Sequence, residues 1–203
     1  LAPRSYWYEF LGEERQLDTG PLWFVGVLLI FSLAYAGWVA IRPRDPDRHL
    51  PRQITAQHLL RVVAVVASAS FAIRLVYPYG GDSGFTDLNF WEWPACIAVF
   101  TLGVTASRQG WLATVSDRLG RQCRTITTLT VAAMAALLIL VGLLDVIDDS
   151  MGGWNWAALG FAVIESTLTV FGSVWLLSVA QRRLNRQVRW GPVLSRSAYG
   201  AFM

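Results

Sequence analysis

The sequence predicts an all-α protein, a polytopic transmembrane helix bundle of five complete spans plus the start of a sixth. Two observations predict it. The first is a set of five apolar windows, Pro21 to Ile41, Ala56 to Val76, Phe90 to Ser107, Ile126 to Leu144 and Trp154 to Ala180. Each approaches or exceeds the roughly 20 helical residues that cross a ~30 Å hydrocarbon core. The second is the placement of arginine. The 203 residues contain no lysine, so all 17 basic residues are arginine. Most lie in or beside Arg42 to Arg61, Arg108 to Arg124 and Arg182 to Arg196, whereas Tyr77 to Trp91 and Asp145 to Gly153 contain none. Arg-rich connections alternate with Arg-free ones, as the positive-inside bias requires of a chain that crosses the membrane at each apolar window.

The same bias predicts orientation. Residue 1 lies outside, and loops 42–57, 108–125 and 181–196 are cytoplasmic. A composition that is 54% hydrophobic with ten Trp is too apolar and too segmental for one soluble core. The net charge of +3 is carried by arginines beside the bilayer, where anionic lipid accounts for them, so nucleic acid is not an expected partner.

Before the first window, Tyr6, Trp7, Tyr8 and Phe10 suggest contact with the membrane surface or with a further part of the fold, and four acids keep the stretch out of lipid. Window one carries a small-residue stripe, Gly26, Leu33, Gly37 and Ala40, that permits close helix contact. Three prolines between Arg42 and Arg52 make an extended connector that contains His49. Pro78 to Gly84 is turn chemistry. Window three opens on Asn89 as an N-cap, with Pro94 tolerated in its first turns and Trp91 and Trp93 at the outer interface. Window four offers Ala132, Ala133, Ala135 and Ala136 for packing, while Thr125, Thr127, Thr128 and Thr130 bond back to helix carbonyls. Cys96 and Cys123 fall on different levels, so neither a disulfide nor a metal site is expected. Both ends read as cut: Leu1 is not an initiator Met, and Ser197 to Met203 begins a further apolar segment.

Candidate functional residues are those that are costly to place. Glu165 is the one ionisable residue near a midplane, where a charge costs about 2.5–3.5 kcal/mol. Its neighbours on one face, Ala158, Phe161, Ala162, Thr169, Gly172 and Ser173, are mostly small or polar, which turns it towards protein or water. It is either a proton relay or substrate-hydroxyl partner, or a structural acid bonded to a neighbouring helix. Arg74 closes window two against the charge bias and Glu92 opens window three on the same side. They form either a substrate-facing pair suited to a polyol or an interfacial ion pair of small energetic weight. Asp82 and Asp87 are solvated loop acids. On the inner side His58, Arg61, Arg108 and Arg121 are candidates for the phosphates of a donor such as coenzyme A, with topology and lipid contact as the alternative. No nucleophile pattern or phosphate loop accompanies His58.

Three stretches together resemble the acyltransferase 3 family of multi-pass bacterial membrane O-acyltransferases. They are Gly20 to Leu29 with its Trp23-Phe24 pair, Trp93-Pro94-Ala95-Cys96 continuing through Phe100 to Val104 and Ala106 to Leu112, and Leu194 to Met203 with Ser197 and Tyr199-Gly200. The resemblance implies residues 1–203 as a single integral membrane acyltransferase-like domain incomplete at both ends, a C-terminal half. It implies an acyl-CoA co-substrate, no metal, and transfer of an acyl group such as acetyl to a hydroxyl of a sugar or cell-surface glycan. The implied partners are the bilayer, the acceptor and further helices of the same protein ahead of Leu1. The family's catalytic Arg and His on its first helix have no counterpart here and are expected upstream, so no catalytic residue is carried over and the piece alone is expected to be inactive. A transporter or permease using Glu165 as a coupling acid, and a membrane sensor domain, are the readings from other classes.

Overall fold

The computed structural model describes residues 22–41, 54–80, 89–110 and 115–183, and these are helical throughout apart from short turns. Helix α1 is Leu22–Ile41, α2 Ala56–Arg74, α3 Trp93–Arg108 after a 3-10 turn Phe90–Glu92, α4 Asp117–Leu143, α5 the single turn Ile147–Met151, and α6 Trp156–Arg183. The aromatic stretch before Gly20, the proline-rich connector with His49, the loop acids Asp82 and Asp87, and the segment Leu194 to Met203 lie outside the described residues.

Among the described residues, four helices are long and apolar enough to cross a membrane: Trp23–Ile41, Ala56–Arg74, Asp117–Leu143 and Trp156–Arg182. The predicted third span is carried by a shorter helix. The 16 residues of α3 rise ~24 Å, and the 3-10 turn adds about 6 Å.

The largest departure from the sequence reading is at α4. Residues 117–125, expected as part of a loop, form its first turns. Ser116 is the N-cap, its hydroxyl accepting from the Leu119 N–H at 3.3 Å, and Asp117 in the first turn complements the helix dipole. A hydropathy window marks where lipid is tolerated, not where a helix starts; polar residues can lengthen a span beyond it. Cys123, read as a loop residue, is fully buried within this extension. Residues 56–57 and 181–183, also assigned to loops, belong to α2 and α6.

Helix α6 is the axis, packed against α2, α4, α3 and α5. Its core with α2 and α4 is Leu59 and Val63, Leu119 and Cys123, and Val170, Phe171 and Val174, with Leu102 of α3 against it. Most other large apolar side chains, such as Val65, Leu129 and Ile139, are exposed, as suits lipid-facing surface.

The expected small-residue stripes are not where helices meet among the described residues. A Cβ added at Gly26 or Gly37 would touch nothing within 4 Å, and Ala132, Ala133, Ala135 and Ala136 are exposed. Helix α1 meets α3 through aromatic rings instead, Phe31 with Trp93 and Phe100 at 5.8 Å and Tyr35 with Phe100 at 6.2 Å. Close approach of α4 and α6 occurs at Gly120, where a Cβ would lie 2.6 Å from Ser178 Oγ, and at Gly160 beside Leu137.

Asn89 adopts a left-handed conformation, φ 44°, which Asn tolerates better than most residues. It caps the 3-10 turn through its backbone, Glu92 N–H donating to its carbonyl at 2.8 Å, rather than through the expected side-chain bond. Pro94 stands in the first turn of α3, as its missing donor requires. Trp91 is buried under Tyr79, ring centroids 6.0 Å apart, and not an interface residue. Thr128 and Thr130 donate back to Arg124 and Ile126 carbonyls at 2.8 Å, as expected, whereas the buried Thr127 hydroxyl has no protein partner.

Candidate functional site

Helices α2 and α6 run antiparallel, so the last residue of α2 lies beside the first half of α6. The Arg74 backbone is level with Gly152, where a Cβ would come within 2.8 Å of the Arg74 carbonyl oxygen. Its guanidinium extends from there along α6 and donates through Nη2 to Oε2 of Glu165. Glu165 lies nine residues beyond Trp156, ~14 Å along the axis. Side chains on a helix lean towards its N-terminus, so Glu165 leans to meet the arginine.

The pair is unequal in exposure. The Arg74 side chain is 3% exposed and that of Glu165 28%. Arg74 also lies under Tyr79, its Cζ 5.2 Å from the ring centroid, a cation–π contact on a desolvated guanidinium. Burial this deep is tolerated because opposite charge and an aromatic face replace water. Its Nε is buried with no hydrogen-bond partner.

The sequence reading joined Arg74 to Glu92; the structure gives Arg74 to Glu165. Glu92 nevertheless lies within electrostatic range of both charges. Glu92 and Glu165 line one cavity of about 400 Å³, with Cys96, Phe100, Thr169 and Phe31 among its walls. Arg74 does not line it and acts from behind Glu165. The arrangement presents two carboxylates in an apolar-walled cleft, a chemistry suited to accepting hydrogen bonds from hydroxyl groups. No group of three metal-ligating side chains occurs among the described residues.

The model of the acyltransferase 3 family, described as an acyltransferase domain, matches residues 3–203. The chain belongs to that family. Searches of curated proteins and of solved structures gave no match. Membership makes this a membrane acyltransferase domain, in keeping with four helices able to span a bilayer.

The residues expected to meet the donor of this acyltransferase lie at the opposite, Arg-bearing end. Arg61, Arg108 and Arg121 are exposed on α2, α3 and α4, respectively. His58, three residues before Arg61 on α2, is half-buried; its Nδ1 is 2.6 Å from the hydroxyl of Thr55, the N-cap residue of α2. The same end is closed by Arg182 and Asp117 at 2.7 Å and by Gln181 Oε1 accepting from the Val115 N–H at 3.1 Å. These arginines are brought to one end of the bundle and not into one cavity. The sequence reading placed Thr169 on the Glu165 face, where it walls the carboxylate cavity, but missed Cys96. The signal for the Arg74–Glu165 pair was present, since two isolated opposite charges on antiparallel neighbouring spans are each cheaper when they meet.

Proposed function

We propose that this domain is part of a membrane O-acyltransferase that moves an acyl group, such as acetyl, from acyl-CoA to a hydroxyl of a sugar or cell-surface glycan. The observation that supports the acceptor half of this reading is the shared cavity of Glu92 and Glu165 with Arg74 bonded behind. Arg74 engages Oε2 of Glu165, which leaves Oε1 for the acceptor. In the reaction the acceptor oxygen attacks the thioester carbonyl, the carbon–sulfur bond breaks, and the hydroxyl proton leaves as coenzyme A departs as the thiol. Glu165 positions that hydroxyl and draws on its proton, and Glu92 holds a second hydroxyl of the same polyol. Arg74, read from sequence as substrate-binding, positions Glu165 instead.

The donor half rests on the Arg-bearing end, where Arg61, Arg108 and Arg121 are exposed to meet phosphates. With that end cytoplasmic, as the positive-inside bias has it, a cytosolic donor and an external acceptor approach from opposite faces.

The test is transfer from labelled acyl-CoA by the full-length protein in lipid nanodiscs to a cell-surface glycan acceptor. An alkali-labile ester on the acceptor, with stoichiometric release of free coenzyme A, is the expected result. Absence of transfer from every acyl-CoA tried, together with solute flux in vesicles, would overturn it in favour of a permease.

A further inference from the structure

A second cavity lies along the same α3–α6 seam, one helical turn towards the Arg-bearing end. It has a volume of about 170 Å³ and is walled by Val99, Leu102, Gly103 and Ala106 of α3, by Ser173, Val174 and Leu177 of α6, and by Ile54 and Val115. Val99 also walls the cavity of Glu92 and Glu165, so the two spaces share a side chain. On α6 the step from Thr169 to Ser173 links them similarly.

The second cavity offers almost nothing polar. Its one hydroxyl, on Ser173, donates back to the Thr169 carbonyl. The space is half-open, its wall residue Val99 being 43% exposed, and its aliphatic lining favours an apolar occupant; an enclosed apolar cavity of about 150 Å³ takes up benzene, a six-carbon ligand. Ala106 stands two residues before Arg108, and Ile54 lies just ahead of α2, which carries Arg61, so the cavity lies towards the end of the bundle that bears these arginines.

We infer that this cavity seats the acyl chain of the donor and sets its length at about four to six carbons, with the thioester carbonyl held at the mouth beside Val99. The inference rests on the acyl-transfer reading and extends it to the identity of the acyl group. An apolar tail fits the lining, the neighbouring arginines complement the phosphates of the same donor, and the shared Val99 brings the tail beside the carboxylates that hold the acceptor. An acetyl group leaves most of the space unfilled. Each further methylene buried there strengthens donor binding about fourfold until the cavity is full.

Gly103 gives the means of testing this, because a Cβ added there would meet nothing within 4 Å and so enters open space without strain. The experiment compares acetyl-, butyryl-, hexanoyl- and decanoyl-CoA as donors for the full-length protein in nanodiscs. The wild type is expected to show kcat/KM rising about fourfold per methylene to a maximum at butyryl- or hexanoyl-CoA and falling for decanoyl-CoA. Gly103→Leu is expected to lower the hexanoyl-to-acetyl ratio at least tenfold, and Gly103→Ala to lower it by less, each variant being checked for monodispersity. Transfer that is indifferent to chain length, or a length profile that neither variant moves, overturns the acyl-chain site while leaving acyl transfer standing. Loss of transfer from every donor in the wild type removes both.

Discussion

The guanidinium of Arg74, at the C-terminal end of the helix Ala56–Arg74, hydrogen-bonds the carboxylate of Glu165, deep in the facing helix Trp156–Arg183. One contact therefore ties two spans together and sets the orientation of the acid that lines the cavity.

Breaking that pair from one side leaves an uncompensated buried charge, which costs about 3–5 kcal/mol. Arg74→Met is therefore expected to lower the unfolding midpoint in detergent sharply, and Arg74→Met with Glu165→Leu to recover most of the loss. Additive single effects in the double-mutant cycle would show that the two side chains do not interact.

Gly152 presses on the same arginine from outside. A Cβ there would lie 2.8 Å from the Arg74 carbonyl oxygen and 3.0 Å from Pro78 Cβ, both held by backbone. Its φ of 177° is ordinary extended backbone, so the cost is steric alone. Gly152→Ala should destabilise by about 1–3 kcal/mol, and a melting temperature equal to wild type would contradict this contact.

At the other end, a Cβ at Gly120 would lie 2.6 Å from Ser178 Oγ and 3.0 Å from Arg182 Nη2. Both obstacles are side-chain tips, but Ser178 is buried, whereas Arg182 is half-exposed and held only by its surface ion pair with Asp117. Gly120→Ala is expected to destabilise, and Ser178→Ala added to it to restore most of the stability. By contrast Asp117→Ala, which removes an exposed ion pair with Arg182 and a charge that complements the α4 dipole, should cost about 1 kcal/mol.

The cysteines report on which space is open. Cys96 lines the carboxylate cavity and is half-buried, whereas Cys123 is completely buried between α2, α4 and α6. A small maleimide should label Cys96 in the native protein and reach Cys123 only after unfolding. Labelling of Cys123 at the rate of Cys96 would contradict the packing of the Arg-bearing end.

Four of the five predicted spans were legible in sequence because hydropathy acts over whole segments; the third window holds a helix of 16 residues. Helix ends were not, since Ser116 and Asp117 start α4 by local capping that a hydropathy window does not register. Glu165, Arg74 and Glu92 stood out individually because each is costly near lipid, and the structure gathers all three at one place. Their pairing required the relative depth of two helices, which depends on the Gly152 contact and on how far the arginine side chain reaches. The stripes of Gly26 and Gly37 misled for the complementary reason, that small residues permit close packing without specifying a partner. Arg61, Arg108 and Arg121 share an end of the bundle, but charge alone did not reveal the apolar cavity between Gly103 and Ser173.

The measurement that bears most directly on the acceptor site is turnover of Glu165→Gln in the full-length protein, scored against wild type in nanodiscs with matched insertion and monodispersity. A group that positions and draws a proton from the acceptor contributes about 10²–10⁴-fold, so kcat should fall by at least a hundredfold while donor KM stays nearly unchanged. Unchanged kcat in a correctly inserted variant would show that Glu165 serves only to hold Arg74.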